Sequence, residues 1–464
     1  MRSRTLLPAA LLIVSMPLVA GVRVREIHVQ PISAVDTDPV RDGQRGPRVN
    51  AIIETNAEPS SGMALYPVAG TIGRDIAIPY YVDLDESGTK RDWNCTDLTF
   101  NGHAGHDPYL RSFAEQRIGV PVFAVRDGKV IDVRDNEADE NTNNDPNALA
   151  NYVTLRHDED EITQYVHLRK GVMVAVGDTV TAGTQLGWVG SSGRSMGPHI
   201  HFEARVDDVA YEPMAGPCRP GLSYFPDQPT LFQEPLVFGA TFSNQSFGNF
   251  SAPPEDGAPH VSTFVSGPRT IYFKAELANV GASTRYKLLL EKPGSTRTEL
   301  AATGTLKTID VSLASIWWGL DVDLDTIGEW ALVLEVNDRR LLSTPFTVVS
   351  SAAQVVNRVP NAVTASFEPL TLRTNQVAVC RASHELLADP DYDVVRYRYE
   401  WRVNGVLVRD VTTAAQSDAL ARQHLTAGAA VQCSITPSDG QLSAQTAVAN
   451  GAVVNNGRRR ALRF

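Results

Sequence analysis

The heptapeptide GPHIHFE at residues 197–203 sets the strictest condition on how this chain folds. His199 and His201 alternate with apolar residues, a pattern typical of a short β-strand, in which side chains two apart lie on one face. Two imidazoles on one face pack poorly in an apolar core. They suit a metal site, or a metal ligand beside a catalytic partner. Because His-x-His alone is a weak signal, the rest of the chain must supply further ligands.

The bulk composition limits the class of protein to which this chain can belong. Its 464 residues predict about three domains, and 43% hydrophobic with 20% charged residues is typical of globular proteins. The net charge of −11 argues against nucleic-acid binding and against docking on an anionic surface.

The first 21 residues have the three parts of a secretory signal peptide. A basic start is followed by a short apolar run and then by the small residues Ala20 and Gly21. A membrane anchor is the alternative, which two prolines in the run and its short length disfavour. We therefore predict a secreted protein, extracellular or periplasmic, without a membrane span.

Export makes disulfides available to the four cysteines. We predict that Cys95 pairs with Cys218 and Cys380 with Cys433, the simplest of the three possible connectivities. For the first pair a thiolate zinc site is the alternative. The spacing of these cysteines matches no compact Cys-x-x-Cys knuckle, so the disulfide is preferred.

The pattern of apolar residues and turn signals along the chain is typical of an all-β protein. Residues 22–62 are polar and irregular, and we interpret them as a linker or N-terminal arm. From residue 63, short apolar alternations are separated by turn signals such as Asp127-Gly128, which predicts a barrel or sandwich. The acidic segment DNEADENTNNDPNA at residues 135–148 interrupts these strands. A solvated excursion is favoured over the rim of a groove.

Further histidines and a carboxylate are candidates for the same site as the His-x-His pair. His103 and Asp107 lie in a glycine-rich turn, and an imidazole with a carboxylate suits zinc; a polar surface turn is the alternative. His167 ends a predicted strand, where a satisfied core or surface histidine is an equal alternative. His106 is interpreted as a surface side chain able to substitute as a ligand, and His157 as an inert residue on a polar turn.

Three motifs, in this order, resemble the lysostaphin-type zinc endopeptidases that cut peptide cross-links of peptidoglycan. They are His103-Ala-Gly-His-Asp107, Tyr165-Val-His167-Leu168 and Gly193-Arg-Ser-Met-Gly-Pro-His199-Ile-His201-Phe-Glu203. The resemblance covers roughly residues 63–225 and is specific because all three motifs occur together. His106 and the acidic segment depart from the family pattern.

The resemblance implies a small antiparallel β catalytic domain that binds one Zn²⁺. By position, it implies that His103, Asp107 and His201 are the metal ligands. It also implies that His167 and His199 are the non-ligand histidines that handle protons and steady the oxyanion.

Two further β-domains follow the catalytic domain. Residues 226–350 read as a β-sandwich, in which core packing of Trp317-Trp318 is favoured over stacking on sugar rings. Residues 351–452 resemble an Ig-like module, because Trp401 lies between the last two cysteines. This implies a spacer or wall-binding role, and residues 453–464 form a basic tail.

Taken together, the sequence predicts a secreted zinc metalloendopeptidase acting on peptidoglycan peptide stems or cross-bridges. A secreted metalloprotease with a protein substrate is one alternative. A non-catalytic wall-binding or amidase-activating adaptor is another, against which the five matched histidine and aspartate positions speak. A fragment ending near residue 225 is expected to fold by itself.

Overall fold

The computed structural model describes residues 22–31 and 62–455, with gaps at 86, 159–160, 208, 229–230, 232–233, 250–256, 282, 296–297, 307–312 and 384–385. The predicted signal peptide and residues 456–464 of the predicted tail lie outside this part. The regular structure is almost entirely β-strand, which confirms the predicted all-β class. Within the described ranges, no helix has the length and apolarity needed to cross a membrane.

The first described element is a strand, β1 (Val22–Pro31), at a place where the sequence was interpreted as linker. It pairs antiparallel with residues 313–324 of the second domain, with Val22 opposite Val322. The linker interpretation is therefore wrong for these ten residues. Their VRVREIHV alternation suits a strand, but its partner lies almost 300 residues away along the chain.

The first domain contains one helix and ten strands among the described residues. They are β2 (Ala77–Tyr80), β3 (Asp107–Tyr109), α1 (Phe113–Ile118), β4 (Pro121–Phe123), β5 (Gly128–Arg134), β6 (Asn151–Arg156), β7 (Ile162–Leu168), β8 (Thr179–Val180), β9 (Gln185–Trp188), β10 (His201–Val206) and β11 (Val209–Ala210). The main sheet has the order β11-β10-β7-β6-β5-β8, and β2-β3 and β4-β9 form small pairs. Apolar side chains from these strands form one core.

The main sheet brings the predicted motifs together. Strand β10 pairs with β7, so that the end of β7, which carries His167, lies beside the start of β10 at His201. The backbones of His106 and Phe202 exchange two hydrogen bonds of 2.8 Å, which attach the turn before β3 to β10. Motifs about 100 residues apart therefore meet at one end of the sheet.

The second domain is a sandwich of two sheets. Its strands are β12 (Leu236–Ser243), β13 (Thr263–Val265), β14 (Gly267–Ala278), β15 (Arg285–Glu291), β16 (Thr298–Thr305), β17 (Leu313–Leu324), β18 (Gly328–Val336) and β19 (Arg339–Val349). The sheet orders are β1-β17-β14-β12 and β13-β19-β18-β15-β16, with one apolar core between the sheets. Trp317 and Trp318 are both buried, which confirms packing rather than an exposed stacking platform.

The third domain is also a two-sheet sandwich. Its strands are β20 (Ala365–Glu368), β21 (Ala378–Ala382), β22 (Arg396–Val403), β23 (Val406–Thr413), β24 (Ser417–Leu420), β25 (Ala430–Ser438) and β26 (Ala447–Ala452). The sheets β20-β21-β24 and β23-β22-β25-β26 are joined by the Cys380–Cys433 disulfide, beside the buried Trp401. Both predicted pairings are confirmed, since Cys95 bonds to Cys218. The Ig-like assignment stays a prediction.

The third domain is fused to the first by a shared apolar core. Ala414, Ala415 and Ala419 belong to the same buried cluster as the strands of the first domain. The Thr413 hydroxyl and the Ala414 N–H both donate to the carbonyl of Gly119, at 2.8 and 3.0 Å. Removal of the third domain would expose this apolar surface, which argues against the predicted independence of a fragment ending near residue 225.

Candidate active site

Three buried side chains converge where β3 meets β10. His103 Nε2 lies 3.1 Å from His201 Nδ1 and 3.2 Å from Asp107 Oδ1, and His201 Nδ1 lies 3.0 Å from the same oxygen. His103 is 3% exposed, Asp107 is 5% exposed and His201 is 8% exposed. Among the described residues, they form the only group of three or more His, Cys, Asp or Glu side chains close enough to share an ion. We call this group the metal triangle.

A glycine allows the two histidines of the metal triangle to come this close. A Cβ atom at Gly105 would lie 2.4 Å from the carbonyl oxygen of Phe202 and 2.7 Å from the imidazole of His201. Any larger residue would therefore push β10 away from the turn that carries His103. This steric demand explains the glycine in the first motif.

Hydrogen bonds on the far side of each imidazole determine which nitrogen faces the triangle. His103 Nδ1 donates to the carbonyl oxygen of Tyr81 at 2.8 Å, so Nε2 presents a lone pair. His201 Nε2 donates to the carboxylate of Glu203 at 3.4 Å, so Nδ1 presents a lone pair. Together with Asp107 Oδ1, three lone pairs face one another, an arrangement that is repulsive unless a cation lies among them.

The pKa shifts of His201 and Asp107 also indicate that the metal triangle is stabilised by positive charge. Burial alone would lower the pKa of His201, but hydrogen bonds to Asp107 and Glu203 raise it to about 10. Burial alone would raise the pKa of Asp107, but the neighbouring His103 and His201 lower it well below its usual value. In the absence of a metal, a proton on His201 therefore supplies the missing charge.

The residues of the metal triangle fit a zinc ion. Tetrahedral zinc with bonds of about 2.0–2.2 Å holds its ligand atoms about 3.3–3.5 Å apart, close to the 3.0–3.2 Å observed between these atoms. Two imidazoles and one carboxylate are a ligand set of catalytic zinc sites, which keep a fourth position for water or substrate.

Two more histidines lie beside the metal triangle. The ring centroids of His167 and His199 are 4.6 Å apart. His167 Nδ1 donates to the carbonyl of Ser192 at 2.7 Å and His199 Nδ1 to the carbonyl of Gly197 at 2.8 Å, so each Nε2 carries a lone pair. Burial lowers the pKa of both imidazoles, that of His167 to about 3. Both are neutral at pH 7 and able to accept a proton.

The second domain supports one wall of this site. The ring of Tyr109 stacks on His199 with centroids 4.3 Å apart and an interplanar angle of 2°. Tyr109 is itself buried in a small apolar cluster with Phe238 of β12 and Leu313 of β17. An accessory domain therefore limits the positions that His199 can adopt.

His106 is not the surface side chain that the sequence predicted. It is fully buried, and its Nε2 lies 2.8 Å from Glu212 Oε1. The reason is the strand geometry, because neighbouring residues point to opposite faces and Asp107 takes the face of the metal triangle. His106 lies outside the triangle.

His157 is also buried rather than exposed on a turn. Its Nδ1 donates to the carbonyl of Asp127 at 2.7 Å, and its Nε2 lies 2.8 Å from the hydroxyl of Thr163. Burial lowers its pKa to about 3. These contacts give His157 a structural role. Its interpretation as a residue without a catalytic role stays a prediction.

Sequence reasoning missed the partners that orient the histidines. The sequence did contain a sign of the role of Glu203, because this residue lies two positions after His201 and therefore points to the same face of β10. The carbonyl groups of Tyr81 and Ser192 could not be identified from the sequence, because any residue type supplies a backbone carbonyl. Glu212 could not be identified either, since its partner lies 106 residues earlier in the chain.

A family model matches part of the first domain. Residues 112–213 match peptidase family M23, a range that contains His167, His199 and His201 and begins after His103 and Asp107.

Relatives share this part of the chain. Peptidoglycan DD-endopeptidase ShyB of Vibrio cholerae is 35% identical over 115 residues, which are 25% of this chain and 24% of that protein. Lysostaphin of Staphylococcus simulans is 36% identical over 123 residues, which are 25% of this chain and 22% of that protein. The crystallised catalytic domain of lysostaphin from the same species is 26% identical, covering 30% of this chain and 89% of that domain with a TM-score of 0.21. The chain spans about a quarter of the length of the curated relatives it matches.

Proposed function

We propose that this chain is a secreted zinc metalloendopeptidase that hydrolyses peptide cross-links of bacterial peptidoglycan. The match of residues 112–213 to peptidase family M23 supports this proposal. The observation that carries this proposal is the metal triangle with two neutral histidines beside it. The name of one relative points the same way, since ShyB of Vibrio cholerae is a peptidoglycan DD-endopeptidase.

In this proposal His103, Asp107 and His201 hold one Zn²⁺. When bound, zinc polarises the scissile carbonyl and lowers the pKa of a water molecule toward neutrality. The protein keeps the two ligand imidazoles in the required tautomers through the Tyr81 carbonyl and the Glu203 carboxylate.

The proton transfers fall to His167 and His199. Each presents an unprotonated Nε2, because its Nδ1 proton is engaged by a backbone carbonyl. A neutral imidazole accepts a proton from the attacking water and later donates one to the leaving amine. While protonated, it also donates a hydrogen bond that stabilises negative charge on the former carbonyl oxygen.

Secretion and wall contact complete the proposal. The predicted signal peptide and the two disulfides are both typical of exported proteins. The second and third domains are proposed to contact the wall while the first cuts it. Their packing on the first domain, through Phe238 and Ala414, supports a single working unit rather than loosely tethered modules.

The test is mass spectrometry of peptides released from purified sacculi by the zinc-loaded full chain. His199→Ala is the matched control, because it removes an imidazole without touching the metal triangle. New peptide ends that require His199 would establish the activity and identify the bond. No release from several wall types, with zinc bound, would overturn the proposal in favour of a protein substrate or an adaptor.

A further inference from the structure

The acidic segment at residues 135–148, which we call the acidic loop, has no fully buried residue, in keeping with the solvated excursion that the sequence favoured, but one side of it is held by the protein. It packs against residues 191–195, which we call the serine turn. The N–H of Asn141 donates to the carbonyl of Ser191 at 3.0 Å, and the hydroxyl of Ser191 donates back to the carbonyl of Asn141 at 2.7 Å. The side-chain amide of Asn141 also donates to the carbonyl of Gly193 at 2.6 Å. Three hydrogen bonds therefore tie the acidic loop to the serine turn.

Asp139 is the charged group at the centre of this contact. Its Oδ1 accepts the N–H of Ser191 at 2.7 Å and that of Glu140 at 2.8 Å. Its Oδ2 accepts the side-chain amide of Gln116 at 3.1 Å, from helix α1. One carboxylate thus ties the acidic loop, the serine turn and the helix together.

The serine turn in turn holds both non-ligand histidines. The carbonyl of Ser192 accepts the Nδ1 proton of His167 at 2.7 Å. The hydroxyl of Ser195 lies 3.3 Å from His199 Nδ1 and 2.8 Å from the hydroxyl of Ser191. A displacement of the turn would therefore move both imidazoles relative to the metal triangle.

We propose that Asp139 is a positioning residue, which aligns His167 and His199 through the serine turn without touching the substrate. The kinetic part of this inference rests on the proposed function. A carboxylate suits the role because three donors converge on it, and removal of the side chain leaves those donors without their acceptor. Small misplacements of catalytic groups are costly, with about 1 Å equivalent to about a hundredfold in rate.

The test compares three variants of the full chain. Asp139→Ala removes the acceptor, and Asp139→Asn retains an Oδ1 for the Ser191 N–H. The new amide of Asp139→Asn replaces Oδ2, and once the Gln116 amide turns over it can donate to Gln116 Oε1, which is buried and lacks a partner within the described residues. Glu137→Ala removes one negative charge from the same loop; no side-chain contact of Glu137 is described, so it controls for charge alone.

The expected result is a split between kcat and KM. Asp139→Ala should lower kcat for peptide release by about 10- to 100-fold, with KM within about twofold and zinc content unchanged. Asp139→Asn should restore most of the rate, and Glu137→Ala should behave as the parent protein. In histidine-selective ¹⁵N spectra, the Nδ1–H signals of His167 and His199 should shift or exchange faster in Asp139→Ala alone.

The spectra keep this inference separable from the proposed function. If the parent protein releases no peptide, the proposed function fails, while a selective change of the two imidazole signals would still support positioning by Asp139. Unchanged imidazole signals in Asp139→Ala would overturn it. So would equal rate losses in Glu137→Ala, which would assign the effect to charge, or a loss of zinc from Asp139→Ala, which would assign it to general structure.

Discussion

The metal triangle and the buried pair of His106 and Glu212 use the same residue types for opposite purposes. In both, an imidazole and a carboxylate lie about 3 Å apart and are buried, the His106–Glu212 pair completely. The Glu212 carboxylate accepts three donors, from His106 Nε2 and from the N–H groups of Val82 and Met214. In the metal triangle, the facing atoms of two imidazoles and a carboxylate converge, and positive charge among them comes only from a proton on His201 or from a bound cation.

The difference teaches that the donor count, more than residue type or burial, separates a metal site from a structural pair. A buried carboxylate whose donors are supplied by the chain needs no ion. A set of converging lone pairs needs one, because each would otherwise be both desolvated and repelled by the others. Substitutions at the two places should therefore have different consequences.

The largest effect is expected from His201→Ala. This change removes one of three ligands, so the protein should lose stoichiometric zinc, and activity should fall to background. Metal analysis of the purified protein checks this, with His106→Gln as the matched change at the structural pair. Stoichiometric zinc in His201→Ala, or loss of zinc in His106→Gln, would break the comparison.

The next largest effect is expected from His167→Ala. The metal triangle stays complete in this variant, so zinc should remain bound while turnover falls by about 10²–10⁴-fold through loss of proton transfer. Rates of peptide release measured beside metal content would show the separation. Parental turnover would remove His167 from the catalytic set.

Glu212→Ala should act on stability rather than on metal. It leaves a buried imidazole and two backbone N–H groups without an acceptor, so the free energy of unfolding should fall by about 3–5 kcal/mol. Urea denaturation provides the measurement, and the folded fraction should still bind zinc. Glu212→Gln, which keeps an acceptor oxygen, is the control. A loss below about 1 kcal/mol would show that the pair is not structural.

The effect that is smallest at neutral pH concerns His157, another buried histidine, which has no carboxylate partner among the hydrogen bonds described for it. Its pKa is lowered by burial from 6.5 to about 3 in the folded protein, so the unfolded chain takes up a proton first as the pH falls. Its contribution to stability is therefore complete above about pH 6.5. It is lost toward pH 3, by about 1.4 kcal/mol per pH unit.

The measurement for His157 is the difference in unfolding free energy between the parent protein and His157→Gln across this pH range. The parent should lose stability faster than the variant as the pH falls from 6.5. Equal slopes would show that His157 is protonated in the folded protein.

Local patterns in the sequence predicted the strands of the first domain, and the family resemblance supplied the full set of candidate site residues. Period-two alternation identified strands, and strand geometry placed His199 and His201 on one face before any partner was known. The five predicted site residues do meet at one end of the main sheet. The two disulfides were predicted because the cysteines fall into two separate parts of the chain.

The features that the sequence did not predict depend on contacts between segments that lie far apart in the chain. Strand β1 has an alternating pattern, but its place beside β17 is settled by hydrogen bonding across the chain. His106 is buried because Glu212 and two tyrosines close over it. The acidic loop is largely polar, and its hydrogen bonds to the serine turn join segments about 50 residues apart in the chain.

The sequence by itself therefore determined the all-β class, through periodicity over a few residues. It also identified five side chains that meet at the candidate site, through a family resemblance carried by three short motifs. The tertiary structure alone decided the tautomers of the imidazoles, the support of His199 by Tyr109 and the fusion of the third domain to the first. The physical reason is that hydrogen-bond partners and burial are properties of pairs of segments, and no single segment encodes its partner.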